Sequence, residues 1–366
     1  VRCQLGSSPS LINILFVDNN ACGGGGAIDC GSGTPIIHGC TFVGNSAVDL
    51  AGAGSGSGGA ISNNGAATIT DCIFDTNWSG ATSGMGGAIV NYQGEPLIAN
   101  CLFVNCSSNV GGGVCFAKYN TASLYNCTFC ANSAATGAGV GLYYATTLTL
   151  VNTIVAFSTQ GEAVAGTGAK NLICCNLFGN AGGDWVGDIA GQLGVNGNIS
   201  EDPLFADSST GDLHLTWNSP CRDSGDDQSL PPDLLEDFEG DPRSALGAVD
   251  MGADEFFYHL YHEGSLVPGQ AITVKIVGAP TLPVLLAMGS GILDPPLSTA
   301  HGDLYLPLPL VAQFPLGNVP SNGVRAFETT VPLSWVTGTE HPFQALVGPW
   351  GGAFTRLTNL MVLVAQ

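Results

Sequence analysis

Fifteen of the 29 acidic residues in this 366-residue chain fall between Glu201 and Glu255, against two bases, Arg222 and Arg243. Carboxylates at this density are the groups that hold a hard cation, because Ca²⁺ takes about six to eight oxygen ligands. Asp223, Asp226, Asp237, Glu239 and Asp241 are the candidate Ca²⁺ ligands. Their spacing matches neither an EF-hand nor a nonapeptide calcium repeat. The competing reading is a set of solvated or arginine-paired acids, with Asp223 or Asp250 facing Arg243, and no cofactor.

The 13 cysteines offer a second chemistry. Cys40, Cys72, Cys101 and Cys127 recur at one repeat position, which reads as a ladder of small buried side chains. The alternative is disulfide bonding between or across rungs, with Cys22–Cys30 and Cys106–Cys130 as candidate pairs outside the ladder. Cys174 and Cys175 are adjacent, which allows a vicinal bond. Cysteines and histidines do not combine in the paired spacing of a structural zinc site.

Catalytic signals are sparse. The first 200 residues hold nine acids, and their bases are Arg2, Lys118 and Lys170. A glycoside hydrolase needs a close carboxylate pair, and a lyase needs calcium-binding acids with a basic side chain. Neither set is gathered in the sequence, and His38-Gly39 stands alone. Trp78, Tyr92, Tyr119, Tyr143 and Tyr144 are candidates for a sugar-stacking face.

Two repeated motifs must position all of these residues. Gly-Gly-Ala-Ile occurs at Gly25–Ile28, Gly58–Ile61 and Gly86–Ile89, then decays to Gly112–Cys115 and Ala138–Gly141. Phe-x-x-Asn starts at Phe16, Phe42, Phe74 and Phe129, with Phe103 as a variant; Val155 and Phe178 are assigned the same slot. Steps from Phe16 onward are 26, 32, 29, 26, 26 and 23 residues. A unit this short cannot bury its own apolar face and must stack on copies of itself. Segments such as Ser123–Phe129 alternate with period two, and glycine, at 53 residues, is too common for helices.

The expected fold is therefore all-β: a right-handed parallel β-helix of about seven rungs over residues 1–200. Phe16, Phe42, Phe74, Phe103, Phe129 and Phe178 should form an interior stack, and Asp71, Asn100, Asn126 and Asn152 a column at a turn. Residues 201–255 read as an irregular acidic cap over the last rung. Residues 256–366 alternate in strand fashion and read as a small immunoglobulin-like β-sandwich. Its final stretch, Leu360–Ala365, is suited to pairing at that domain's edge or to lending a strand to a neighbour.

Gly-Gly-Ala-Ile with Phe-x-x-Asn resembles the repeat of the chlamydial polymorphic outer-membrane proteins and their bacterial β-helix relatives. Asp202-Pro203-Leu204-Phe205, Ser219–Asp226, Asp237–Arg243 and Val249–Glu255 resemble, in order, the closing module of secreted bacterial β-helix proteins with variable C-terminal anchoring. The last domain resembles C-terminal sandwiches of secreted planctomycete and myxobacterial proteins. These resemblances imply a fold and a surface or extracellular placement, and no chemistry.

A net charge of −21 argues against nucleic acid or an anionic membrane as partner. No apolar run reaches the length of a membrane span. Opening at Val1 without Met, the sequence reads as a processed chain whose first rung is open. The expectation is a non-catalytic extracellular structural protein whose partners are copies of itself, assembled head to tail as a fibre or lattice. A glycan-binding adhesin that meets cell-surface polysaccharide, or a polysaccharide lyase or hydrolase, is the alternative.

Overall fold

The computed structural model describes residues 1–3, 6–48, 56–80, 82–118, 121–243 and 248–256. Beyond them it describes 260–263, 267–268, 270–277, 283–288, 297–299, 302–304, 312–320, 324–330, 340–347, 356–357 and 361–364. Much of the insertion after Ala47 lies outside the described residues, as does Tyr119. Contacts divide the chain into two units, Val1–Leu215 with Ser219–Glu255, and Thr216–Asn218 with Phe256–Gln366.

The first unit is a parallel β-solenoid of about six turns. One face is a seven-stranded sheet of short strands, Leu15–Val17, Thr41–Val43, Ile73–Asp75, Leu102–Val104, Thr128–Cys130, Ile154–Ala156 and Asn176–Phe178. A larger sheet holds two stacks, one of strands that follow the Gly-Gly motif and one of strands that precede each turn. The two stacks merge in the long strands Val140–Val151 and Val164–Ile173. A third sheet holds Asn20–Cys22, Ser46–Val48 and Trp78–Ser79.

Register follows the motifs. Phe16, Phe42, Phe74, Phe103 and Phe129 pair in line, and their rings stack at 4.5–4.9 Å with planes within 6°. Each buried ring contributes about 1.5–3 kcal/mol. Val155 continues the column, but Leu177 and not Phe178 follows it. Phe178 pairs with Ala156 and packs edge-on against Phe157 at 5.9 Å. The expected place of Phe178 in the interior stack is therefore corrected by one residue. The signal was local: Cys127-Thr128-Phe129 aligns with Cys175-Asn176-Leu177, so the last turn is shorter than its aromatic residue suggests.

Asn45 and Asn77, three residues after their phenylalanines, are fully buried. Asn45 Nδ2 donates to Asn77 Oδ1 at 3.0 Å and to the Phe16 carbonyl at 3.0 Å, so side-chain amides close the turn backbone. The expected turn column is present: Asp71, Asn100, Asn126 and Asn152 all take positive φ of 47–56°, the region that Asn and Asp tolerate best among non-glycine residues. In the Gly-Gly motif the second glycine allows close approach. A Cβ on Gly87 would stand 2.0 Å from the Gly112 carbonyl of the next turn.

The acidic segment does not sit over the last rung as expected. It runs back along the solenoid flank, hydrogen-bonding successive turns: Glu201 to Asn176, Asp226 to Asn152, Asp250 to Asn126 and Arg243 to Asn100. Leu213 and Ala253 cover the outward faces of Leu102, Val104 and Cys130. The core beyond the last strand is met instead by residues 185–198. Trp185 and Ile189, on and beside the 3₁₀ turn Gly187–Gln192, join the interior cluster. Lys170 Nζ holds this turn through Asp188 at 2.7 Å. This stretch carries no repeat motif, which is why periodicity did not mark it.

The second unit contains antiparallel sheets. Leu260–Glu263, Ala271–Val277 and Val324–Thr330 form one; Ala312–Asn318, Pro283–Met288, Glu340–Val347, Arg356–Leu357 and Met361–Val364 form another. Ile272, Val274 and Ile276 from the first share a core with Val284, Leu286, Ala345 and Val347 from the second, as the sandwich reading requires. The terminal strand Met361–Val364 pairs with Glu340–Phe343 inside this unit; Leu360 and Ala365 lie outside the described residues.

Candidate functional site

All thirteen cysteines are free thiols, so neither proposed disulfide is present. Cys22 is exposed, whereas Cys30 is buried and lies in register with Cys3 on the neighbouring turn. Cys106 occupies the buried Asn position, accepting from Asn77, while Cys130 faces outward beneath the acidic segment. The expected ladder is fully buried: Cys40, Cys72, Cys101 and Cys127, joined by Cys175, each donate to the carbonyl two residues back at 3.1–3.5 Å. Burial pushes Cys106, Cys115 and Cys175 up to about 12, so these thiols are protonated and unreactive. Alkylation of the native protein at neutral pH should label Cys22 first and Cys174 more slowly. Mass spectrometry should find all the remaining thiols reactive after unfolding without reductant. Blocked thiols after unfolding would restore a disulfide.

A cleft of about 510 Å³ opens where the left-handed corner of the solenoid meets loop 233–240. Its walls include Asn13, His38, Asp71 and Asn100 from four turns, faced by Glu236 and Glu239. His38 Nδ1 lies 2.9 Å from Asp71 Oδ2, and Asn100 Nδ2 donates to Asp71 Oδ1 at 2.9 Å. The histidine read as an isolated rung residue thus has a carboxylate partner.

Behind the cleft lies a buried charge network. Arg243, 2% exposed, donates from Nε and Nη2 to Asn100 Oδ1 at 3.2 and 2.7 Å and from Nη2 to the Ala253 carbonyl at 2.8 Å. Its Nη1 is 3.6 Å from Glu255 Oε2. The sequence paired Arg243 with Asp223 or Asp250. Asp223 pairs with Arg222 at 3.5 Å instead, whereas Asp250, whose Oδ1 accepts from the Asp223 amide, is one of the carboxyls that surround the Arg243 charge.

The five candidate calcium ligands are not gathered into one oxygen cage. Asp226 caps the short turn Asp227–Ser229, accepting from Gln228 N and Ser229 Oγ. Asp237 accepts from the amides of Glu239, Asp241 and Glu255 at 2.8–2.9 Å, so both its oxygens order the local backbone. Asp241 shares that loop, and burial beside Asp237 pushes its carboxyl up to about 7. Glu239 reaches a different group: its Oε2 is 3.0 Å from His214 Nε2, while Asp212 Oδ1 is 2.6 Å from His214 Nδ1. Burial alone would lower the His214 imidazolium, but those two carboxylates push it up to about 11. Asp254, also close by, is raised by burial. His214 and Asp254 were missed as site residues because they lie far from Glu239 in sequence.

The fold and these columns define the class: a parallel β-solenoid repeat protein with a flanking acidic segment. No protein-family model matches the chain. An 81-residue stretch is 35% identical to the metabotropic glutamate receptor-like protein R of Dictyostelium discoideum. That stretch is 22% of this chain and 5% of the relative, so the chain spans a small part of the curated relative it matches.

Proposed function

We propose that the protein is a non-catalytic extracellular structural protein, a subunit of a self-assembling surface fibre or lattice. The observation that carries this reading is an apolar patch around the corner at Asn13. Ile12, Ile14, Leu15, Val17 and Ile36 are 36–64% exposed there, although equivalent outward positions on later turns, such as Leu102 and Val104, are buried under the acidic segment. Contiguous exposed apolar surface of this kind suits an interface. A second copy of the chain is the occupant in this reading. The buried Arg243 network supports a structural role for the acidic segment, and His38–Asp71 is then a turn contact. The Gly-Gly-Ala-Ile and Phe-x-x-Asn motifs support kinship with the polymorphic outer-membrane repeats. The ordered acidic motifs support an anchoring-type closing module, and the paired antiparallel sheets support the planctomycete and myxobacterial sandwich kinship. Together these favour the cell exterior. The triple variant Ile12→Ser, Leu15→Ser, Val17→Ser should remain monomeric by light scattering at concentrations where the parent chain associates. Equal association of the two would count against the patch.

A second reading, a glycan-binding adhesin, is favoured by one corner of the solenoid. Tyr143 and Tyr144 are 43% and 54% exposed, with ring centroids 4.4 Å apart, and the Lys118 amide donates to Tyr143 from the adjacent turn. Lys118 Nζ also lies 5.2 Å from the Tyr92 ring centre. On a polysaccharide affinity gel, Tyr143→Ala with Tyr144→Ala should elute earlier than the parent; identical elution removes this reading.

A further inference from the structure

We propose that His214, Glu239 and Asp254 form a binding site for one divalent cation of the zinc class. One ligand atom from each lies within 4.8 Å of those of the other two. His214 Nε2 and Glu239 Oε2 are 3.0 Å apart, close to the separation of about 3.3 Å that a tetrahedral ion imposes at metal–ligand distances of about 2.0–2.1 Å.

A second observation, at Asp254, also points to a ligand. Asp254 is 3% exposed, and its Oδ1 has no hydrogen-bond partner. Its Oδ2 accepts from the Leu215 amide at 2.7 Å, which fixes the carboxylate in place. A buried carboxylate oxygen without a donor is rare, and a cation at the His214–Glu239 pair satisfies it.

The donor set selects the metal. One imidazole nitrogen and two carboxylates suit zinc-class ions, whereas Ca²⁺ asks for about six to eight oxygens. Asp212 Oδ1, at 2.6 Å from His214 Nδ1, is the carboxylate that orients a metal-bound histidine and leaves Nε2 facing the ion. Glu239 also lines the open cleft, so an ion reaches the site through it. Binding exchanges one species for another: the Nε2 proton leaves to solvent as the metal–Nε2 bond forms, and the Nδ1 proton stays on the ring, donated to Asp212 Oδ1. No electron transfer is involved. The site needs no assembly with another chain, so it stands independently of the fibre reading.

The test uses the full chain with Cys22→Ser, which removes the exposed thiol, after treatment with a chelator. Calorimetric titration with Zn²⁺ should show about one equivalent bound with proton release, the latter read by repeating the titration in buffers of different ionisation enthalpy. Co²⁺ should give a visible spectrum without thiolate charge-transfer bands. Glu239→Gln, which keeps a hydrogen-bond acceptor for His214, should abolish uptake while the circular dichroism spectrum is unchanged. Asp212→Asn should weaken uptake about 10- to 100-fold. The proposal is overturned if Zn²⁺ does not bind, if Glu239→Gln binds it equally, if thiolate bands appear, or if Ca²⁺ is taken up in preference.

Discussion

Replacing Arg243 with alanine should release the acidic segment from the solenoid flank and cost about 3–5 kcal/mol, the usual range when one partner of a buried charge network is removed. The guanidinium fills a space bounded by Asn100, Ala253 and Glu255. Without it the Asn100 carbonyl oxygen loses both its Arg243 donors, and the Asp237, Asp250, Asp254 and Glu255 carboxyls lose their shared counter-charge. Hydrogen exchange read by mass spectrometry should rise in peptides from 212–243 before it rises in the Phe42–Phe129 turns. Arg243→Met, which keeps bulk without charge, should fall close to the alanine variant if charge rather than packing holds the segment. A loss below about 1 kcal/mol would show that Arg243 is dispensable.

The second large effect lies in the aromatic stack. Phe103→Ala should destabilise the solenoid by about 3–5 kcal/mol, because the ring is fully buried and stacked on both sides, at 4.9 Å from Phe74 and 4.5 Å from Phe129. At the end of the column the prediction separates two adjacent residues. Leu177→Ala should cost about 2–5 kcal/mol and Phe178→Ala about 1 kcal/mol, although phenylalanine is the larger side chain. Denaturant titration of the three variants checks this. A larger loss at Phe178 than at Leu177 would reinstate the register expected from the aromatic spacing.

These two predictions also mark what was legible in the sequence. The Phe, Cys and turn columns were readable because solenoid contacts repeat at a nearly constant offset, so Phe42 announces Phe74 and Asn100 announces Asn126. The single slip, at Phe178, came from following the residue type when the last turn had shortened. The position of the acidic segment was not readable. Arg243 meets Asn100 across 143 residues, and no period links them. The plug at Trp185 and Ile189 occurs once and carries no motif. Acid density did find the charged region, and Glu239 within it. Its partners His214 and Asp254 come from separate strands of chain and meet only through tertiary packing, so spacing in the sequence held no trace of them.

The central claim, that this solenoid is a building block, is tested most directly by electron microscopy of the concentrated full chain at neutral pH. Filaments or sheets with a regular subunit repeat are the predicted result. Dispersed single particles at every concentration would contradict it.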